Sequence, residues 1–283
     1  MKKVAWIGTG VMGAPMASHL AKAGYEVSAY NRTHSKASVL EPLVKAFETI
    51  QETVVEADII FTIVGYPKDV EEVVNEVMLH AKEGAIIVDM TTSSPTLANQ
   101  LYIQGKSKGF KLVDAPVTGG DLGAINATLS IMVGGDIEVY DEILPLLEVM
   151  GKTINYMGDA GNGQNAKLAN QIAIAGAIAG TAEALTFAKQ KGLDLNTMLN
   201  VISGGSASSW QAINNGSKMI VDDMLPGFFV KHFLKDLKLA IDEKNSLYLP
   251  ILENVTTIYQ ILSDEGLGDL GTQSIINYYI NQL

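Results

Sequence analysis

The sequence predicts an α/β domain with a doubly wound parallel sheet, followed by an all-α C-terminal domain that a long helix joins to it. Up to residue 161, short apolar runs alternate with helical patterns, which is typical of a parallel sheet covered by helices on both faces. Beyond that point no strand pattern recurs, and 162–192 lacks proline and has the pattern of one helix. We therefore predict a sheet domain over 1–161, a connecting helix over 162–192 and a helical domain over 193–283.

The predicted strands of the first domain are mostly continuous apolar runs, as expected when both faces of a sheet are covered. They are Val4–Ile7, Val27–Tyr30, Ile59–Val64, Ala85–Met90, Leu112–Ala115, Leu129–Val133 and Thr153–Tyr156. The predicted helices between them are Met12–Ala23, Val70–Ala81, Pro95–Lys106 and Ile137–Leu144. Pro145 is expected to end or kink the last of these, because proline lacks the backbone N–H that a helix needs.

The second domain is predicted from helical patterns that glycine and proline separate. After the long helix they cover 194–203, 210–223, 231–246, 250–264 and 271–282. Within the long helix Gly176 and Gly180 are four residues apart, so they share a face on which another helix can pack closely.

Composition excludes several classes of function. The net charge of −11 argues against nucleic acid, whose phosphates need clustered Lys and Arg. The chain has no cysteine, which rules out disulfides and thiol chemistry and fits a reducing cytoplasm, and no two of its four histidines are spaced as a metal pair. The uncharged apolar run Leu168–Ala182 is 15 residues long, short of the roughly 20 that a membrane span needs, so no membrane partner is predicted.

A glycine-rich loop follows the first predicted strand and precedes a predicted helix. Gly8, Gly10 and Gly13 form G-x-G-x-x-G, with Val11 and Met12 between the last two. In this context the first glycine permits a tight turn, the second lets a pyrophosphate approach the backbone, and the third lets helix and strand pack closely. The pattern predicts a Rossmann-type, dinucleotide-binding domain.

The end of the second predicted strand indicates which dinucleotide is preferred. A carboxylate there would accept hydrogen bonds from the adenosine ribose and repel a 2′-phosphate. This chain instead has Asn31, Arg32 and Thr33, and a guanidinium can bind a phosphate through two parallel hydrogen bonds. NADP is therefore the predicted cofactor, with NAD as the alternative.

Four ordered blocks of sequence resemble the β-hydroxyacid dehydrogenase family. They are GTGVMGAPMA at 8–17, DAPVTGG at 114–120, GNGQNAKLAN at 161–170 and KDLKLA at 235–240. The resemblance implies NAD(P)-dependent oxidation of a small 3-hydroxyacid, or the reverse reduction of a semialdehyde. It also implies a helical domain that builds a homodimer or homotetramer.

The same resemblance implies the residues that bind the small carboxylate substrate. Thr118, Gly119 and Gly120 match the family's substrate loop, where serine is more usual than threonine. Many members have asparagine four residues after the family's catalytic lysine, which Lys167 matches in this chain. This chain has Gln171 there and Asn170 just before it, so either amide is a candidate substrate ligand.

Further cofactor contacts are also implied by the resemblance. Val64 and Gly65 match the loop that lies along the cofactor, and Thr92 matches a cofactor-contacting threonine. Lys235 matches a lysine near the nicotinamide end, and Asp236 is placed to orient it or balance its charge.

Lys167 matches the family's catalytic lysine. Hydride transfer to a carbonyl leaves an alkoxide that needs a proton, and a lysine can supply or remove that proton. The ordinary pKa of lysine is too high for an efficient base near neutrality, but burial or nearby positive charge lowers it. Imine reductases have a similar architecture but generally lack this lysine, and a non-catalytic dinucleotide-binding scaffold would not need it. Both stay as alternatives to a dehydrogenase.

Overall fold

The computed structural model describes residues 2–280, and the chain divides into two compact units, Met1–Lys167 and Leu168–Leu283. The division falls inside one continuous helix, Asn162–Gln190. The predicted domain boundaries, which treat this helix as a separate connecting segment, stay a prediction.

The first unit alternates strands and helices. Its strands are β1 Lys3–Ile7, β2 Glu26–Tyr30, β3 Lys45–Ala46, β4 Ile59–Thr62, β5 Ile86–Asp89, β6 Lys111–Asp114, β7 Val117–Thr118, β8 Leu129–Gly134 and β9 Gly151–Gly158. Its helices are α1 Gly13–Lys22, α2 Ser35–Ser38, α3 Ile50–Val54, α4 Pro67–His80, α5 Pro95–Ser107, α6 Gly120–Ile125 and α7 Ile137–Leu147.

The strands form one sheet in the order β3-β2-β1-β4-β5-β6-β8-β7, with β9 paired to β8. Strands β1 to β6 are parallel, which confirms the doubly wound architecture. Beyond β6 the sheet becomes mixed, because β8 runs antiparallel to both β6 and β7. The two-residue strands β3 and β7 were not predicted, since two residues are too few to show a periodicity.

Each face of the sheet packs against its own apolar core. In β1 the side chains of Val4 and Trp6 belong to one core, whereas Ala5 and Ile7 belong to the other. Trp6 stacks on Phe61 of the neighbouring strand with ring centroids 5.3 Å apart. Burial on both faces explains why these strands are continuous apolar runs in the sequence.

Helix α7 corrects one of the two outcomes predicted at Pro145, the end of the helix, and leaves the kink a prediction. The helix continues through Pro145 to Leu147 instead of ending at Leu144. Proline leaves the carbonyl four residues earlier without its helical partner, and that carbonyl belongs to the solvent-exposed Asp141, where water can bind it.

The second unit is helical throughout its described residues. Its elements are α8 Asn162–Gln190, α9 Leu195–Gly204, a π-helix Gln211–Gly216 leading into α10 Ser217–Ile220, α11 Val230–Glu243, α12 Pro250–Asp264, and a 3-10 turn Thr272–Ser274 leading into α13 Ile275–Ile280. The predicted end of the last helix, at 282, lies outside the described residues. Phe233 of α11 packs edge-on against Tyr259 of α12, and the Tyr259 hydroxyl donates to the carbonyl of Thr272 at 2.7 Å.

Helix α8 is long and apolar enough, by length and composition, to cross a membrane. The uncharged run Leu168–Ala182, on which the absence of a membrane partner was predicted, covers only 15 of its 29 residues. Half of its apolar stretch is buried within the chain, as in the core helix of a globular protein.

Candidate functional site

The glycine loop joins β1 to α1 as the motif predicts. Gly8 has φ +100°, and a Cβ there would overlap the backbone oxygen of Ile63. A Cβ at Gly13 would overlap the oxygen of Gly8 and contact the Trp6 ring. Gly10 is different, because it is exposed and has no atom near the position of a Cβ. The outer glycines therefore serve packing, and the middle one leaves a surface that a ligand can approach.

This surface fits the pyrophosphate of a dinucleotide. In the described chain no side chain caps the start of α1, and its first turn contains no acidic residue, so the helix presents backbone N–H groups and the positive end of its dipole. The hydroxyl of Thr9 in the same loop is buried and has no hydrogen-bond partner among the described residues. Val11 and Met12, also predicted to bind cofactor, precede the first residue of α1.

Asn31 holds the glycine loop in place. Its Oδ1 accepts the backbone N–H of Thr9 at 3.0 Å, and its Nδ2 donates to the carbonyl of Thr33 at 3.1 Å. The neighbouring Arg32 extends into solvent with 90% of its side chain exposed, 3.7 Å from the Asp69 carboxylate. Such an exposed ion pair contributes little to stability, so the guanidinium can leave it for a phosphate with little penalty.

The loops after β4 and β5 are tied to each other. Asp89 at the end of β5 accepts the hydroxyl of Thr62 at 2.8 Å and the backbone N–H of Thr91 at 3.1 Å. The Thr91 hydroxyl in turn accepts the backbone N–H of Val64 at 3.0 Å. The predicted cofactor residues Val64, Gly65 and Thr92 thus lie in two adjoining loops at the carboxyl edge of the parallel strands.

The predicted substrate loop lies between β7 and α6. Thr118 is the last residue of β7 and is partly buried. Gly119 and Gly120 follow with φ of +133° and +65°, a consecutive pair of conformations that side chains rarely adopt. The two glycines lie at the start of α6, which no side chain caps in the described chain, so the backbone beside the Thr118 hydroxyl is not covered by side chains of its own.

The start of α8 is anchored by a buried carboxylate from β6. Asp114 accepts the backbone N–H of Gly161 and that of Gln164, each at 2.7 Å, and so satisfies two donors at the helix N-terminus. Gly163 makes this approach possible, since a Cβ there would come within 2.7 Å of the Asp114 backbone and side-chain oxygens. Gly163 is thus required for packing against Asp114, whereas Gly161, with φ +89°, packs against the carbonyl of Pro95.

The charge state of Asp114 is unusual. Burial raises the pKa of Asp114 to about 6, and the Asp89 carboxylate adds to the effect, although the two backbone N–H groups oppose it. Asp89 and Asp114 are aligned in register on adjacent strands, which brings two buried carboxylates to the same edge of the sheet.

Gln164 connects the helix start to the loop after β5. Its Oε1 accepts the N–H of Ser93 at 2.8 Å, and its Nε2 donates to the carbonyl of Thr91 at 2.7 Å. The side chain is completely buried. Lys167 lies three residues further along, on the same side of the helix, and is itself only 6% exposed. Lys167 is therefore not a surface lysine surrounded by solvent.

Asp89, Asp114 and Gln164 were missed by sequence reasoning. Each aspartate ends an apolar run, and the glutamine sits in an uncharged, glycine-led segment. Neither feature distinguishes these residues from an ordinary strand end or loop, so the sequence alone does not single them out.

The second unit contains its own set of predicted site residues. Gln171 on α8 donates from Nε2 to Asp236 of α11 at 2.7 Å, and its Oε1 accepts a hydrogen bond from Asn170 at 3.1 Å. The other oxygen of Asp236 is 3.1 Å from the ammonium of Lys235. The helical unit thus brings together Asn170, Gln171, Asp236 and Lys235. Over residues 2–280, no cluster of three histidine or acidic side chains is placed to hold a metal ion.

Comparison with known families supports this picture. Residues 3–158 match the model described as the NAD binding domain of 6-phosphogluconate dehydrogenase. Residues 161–279 match the model described as the NAD-binding domain of NADP-dependent 3-hydroxyisobutyrate dehydrogenase.

Individual relatives cover nearly the whole chain. A probable mitochondrial 3-hydroxyisobutyrate dehydrogenase-like protein of Arabidopsis thaliana is 44% identical over 97% of this chain and 84% of its own. The 2-hydroxy-3-oxopropionate reductase of Escherichia coli is 37% identical, over 92% of this chain and 90% of its own. The structure of Mycobacterium tuberculosis 3-hydroxyisobutyrate dehydrogenase with L-serine has a TM-score of 0.90 at 31% identity and covers 99% of both chains.

Imine reductases share the fold at greater distance, as in the enzyme from Myxococcus stipitatus, with 17% identity and a TM-score of 0.68. That likeness concerns the fold alone. The two family models and these relatives agree with each other, and the chain belongs to the β-hydroxyacid dehydrogenase family of NAD(P)-dependent oxidoreductases.

Proposed function

We propose that the protein interconverts a small 3-hydroxyacid and its semialdehyde with NADPH as the preferred reductant, and that Lys167 is the proton-transfer group. The observation that carries this proposal is the burial of Lys167. A charge is costly to bury, so a lysine kept 6% exposed on a helix anchored by Asp114 and Gln164 needs a reason beyond solubility.

A nicotinamide cofactor, when bound, would supply the hydride for the carbonyl carbon or accept it in the oxidative direction. In reduction, the Lys167 ammonium donates a proton to the carbonyl oxygen as the alkoxide forms, and its positive charge stabilises that oxygen beforehand. In oxidation, the neutral amine of Lys167 removes the hydroxyl proton. The anchored first turns of α8 keep the amine from drifting, which preserves the alignment that proton transfer requires.

Thr118, Gly119 and Gly120 are the proposed carboxylate-binding loop. The overall charge of −11 repels an anionic substrate, so specific local donors are needed to hold it. The relatives support a substrate with its reacting carbon next to the α-carbon. L-serine carries a hydroxyl there, and 2-hydroxy-3-oxopropionate carries an aldehyde there. Both compounds also carry the carboxylate that such a loop binds.

Arg32 supports the preference for NADPH over NADH. It is exposed, lies two residues after the end of β2, and has no carboxylate before it that would bind the ribose hydroxyls in its place. Asn31 and Thr33 complete this proposed ribose-phosphate site, and Val64, Gly65 and Thr92 extend it towards the nicotinamide. We further propose a cytoplasmic homodimer or homotetramer.

The test begins with a screen of nicotinamide absorbance. NADPH and NADH are combined with semialdehydes, keto acids and cyclic imines, and NADP⁺ and NAD⁺ with 3-hydroxyacids. Turnover of a semialdehyde or 3-hydroxyacid is expected, with a higher kcat/KM for the phosphorylated cofactor. Turnover of imines alone would assign the protein to the imine reductases, and cofactor binding without any turnover would make it a scaffold.

Lys167→Ala separates chemistry from binding. We expect turnover to fall at least about a thousandfold, which general acid–base catalysis and charge stabilisation together account for, while the Kd for NADPH changes little. Lys189→Ala provides the matched control, because this lysine lies near the end of the same helix and is exposed. Near-normal turnover by the Lys167 variant rejects its catalytic role.

A further inference from the structure

Gln171 and Asn170 are adjacent, yet the structure gives their amides different surroundings. The Gln171 side chain is 1% exposed, its nitrogen donates to Asp236 at 2.7 Å, and its oxygen accepts from Asn170 at 3.1 Å. Asn170 is only partly buried. Of the two candidates for a substrate amide, Gln171 is therefore directed into the helical unit and Asn170 is nearer its surface.

The carboxylate of Asp236 connects this pair to Lys235. Asp236 is 1% exposed; one of its oxygens accepts from Gln171 and the other is 3.1 Å from the Lys235 ammonium. The hydrogen bond from Gln171 fixes one oxygen of this buried carboxylate. The other oxygen makes no hydrogen bond among the described residues and interacts with the Lys235 ammonium as an ion pair. A continuous polar chain runs from Asn170 through Gln171 and Asp236 to Lys235.

The length of Gln171 is essential to this chain. Asparagine at the same position carries the amide one methylene closer to α8 and cannot keep both the Asp236 and the Asn170 contacts in their present geometry. Where many family members have asparagine, this chain has the longer Gln171, and the longer side chain reaches its partner Asp236 on α11.

We propose that Gln171 is a positioning residue that does not contact the substrate. It orients Asn170, the proposed substrate ligand, and through Asp236 it restricts the ammonium of Lys235, the proposed cofactor ligand. This inference rests on the proposed function, because it takes Asn170 as a substrate ligand and Lys235 as a cofactor ligand. The sequence leaves both amides as candidate substrate ligands, and this proposal assigns that role to Asn170 alone.

The test compares Gln171→Met, which has similar length and no amide, with Asn170→Ala and with the double variant. Loss of one orienting hydrogen bond is expected to raise KM in Gln171→Met about tenfold, with kcat within about threefold of wild type. The Kd for NADPH is expected to rise about threefold, because Gln171 no longer holds Asp236, the partner of Lys235. Asn170→Ala should raise KM at least as much, and the double variant should be no worse than Asn170→Ala.

Two further variants distinguish the positioning role from a general loss of packing. Gln171→Asn keeps an amide but is too short, so it should behave like Gln171→Met. Gln273→Met removes another buried glutamine of the helical unit, whose nitrogen donates to the carbonyls of Asp223 and Leu225. This control should lower the thermal unfolding temperature and leave KM and Kd unchanged.

A raised KM in Gln171→Met with a normal KM in Asn170→Ala overturns the proposal, since Gln171 would then bind substrate itself. Unchanged KM and Kd in Gln171→Met overturn it as well.

Failure of the proposed function is recognised separately. If wild type binds NADPH but turns over no hydroxyacid or semialdehyde, the proposed function is wrong. The Kd values of wild type and Gln171→Met for NADPH then decide whether Gln171 positions Lys235. If wild type binds no NADPH, a double-mutant cycle of Gln171→Met and Asp236→Asn in thermal unfolding decides whether the buried connection exists. Additive losses in that cycle reject it.

Discussion

The side-chain oxygen of Gln164 accepts the backbone N–H of Ser93 at 2.8 Å, across 71 residues of sequence. The same amide donates its nitrogen to the carbonyl of Thr91. One buried glutamine therefore holds the loop that follows β5 against the first turn of α8. Because Thr92 lies between these two partners, the loop proposed to contact cofactor and the helix that carries Lys167 are kept in fixed register.

Gln164→Met should weaken both stability and cofactor binding. The variant leaves the Ser93 N–H and the Thr91 carbonyl buried without partners, at about 1–3 kcal/mol for each group. We expect a clear loss of unfolding free energy in urea and a several-fold higher Kd for NADPH. Gln260→Met is the control, since that amide pairs with Asp264 on an exposed helix face. Equal behaviour of the two variants would contradict the proposed bridge.

Asp114 should make stability depend on pH in a defined direction. Its pKa is raised by burial to about 6, against an ordinary value of 3.8, so the folded chain holds the proton more tightly than the unfolded chain. Its contribution is therefore fully present below the ordinary pKa, decreases by about 1 kcal/mol per pH unit as pH rises towards the folded pKa, and is constant above it.

Unfolding of wild type and Asp114→Asn in urea between about pH 4 and pH 7 tests this dependence. The difference in unfolding free energy, wild type minus variant, should decrease as pH rises. Asp194→Asn provides the opposite case, because the backbone N–H and hydroxyl of Thr197 lower the pKa of Asp194, whose contribution is lost as pH falls. A pH-independent difference for Asp114→Asn would show that its carboxyl titrates normally.

Substitutions at Arg32 and at Asp69 should change the affinity for NADPH in opposite directions. Arg32→Ala is expected to raise the Kd for NADPH about tenfold or more and to leave NADH almost unchanged, because only NADPH offers a phosphate to the guanidinium. Asp69→Asn removes the carboxylate 3.7 Å from Arg32 and keeps an oxygen for the N–H of Tyr66, so NADPH should bind somewhat more tightly. Fluorescence titration measures both. An equal loss for the two cofactors in Arg32→Ala rejects the phosphate role.

Two glycines of α8 should respond oppositely to alanine. Gly163→Ala places a Cβ within 2.7 Å of Asp114 oxygens, and the required displacement should cost about 1–3 kcal/mol. Gly180→Ala places a Cβ in open space on an exposed part of the helix, where alanine stabilises by about 0.5–1 kcal/mol. Thermal unfolding compares them. Tolerance of Gly163→Ala would mean that α8 can separate from Asp114.

Local patterns were enough to predict the longer strands of the parallel sheet and the glycine loop, but not the two-residue strand β3. β1 is a continuous apolar run because both of its faces are buried. The glycine spacing is visible in one short segment of sequence, although the atom that a Cβ at Gly8 would overlap belongs to the distant Ile63. Lys167 was predicted from a motif. Its burial was not, because burial depends on residues far away in the chain.

The anchoring network around α8 had no local signal. Asp114 contacts Gly161 and Gln164 across 47 and 50 residues, and Asp89 contacts Thr62 across 27. Nothing in a window around either aspartate distinguishes a buried anchor from an ordinary strand end. The role of Gln171 was also left open, since its partner Asp236 lies 65 residues away on α11.

The attachment of α8 to β6 also determines the rotational phase of the helix. Each residue advances the helix by about 100°, so Gln164, Lys167 and Gln171 fall within one stripe about 60° wide. A single residue inserted between Gln164 and Lys167 would leave the anchor intact and rotate everything beyond it by more than a quarter of a turn. The spacing from anchor to lysine therefore tolerates substitution far better than it tolerates a change in length.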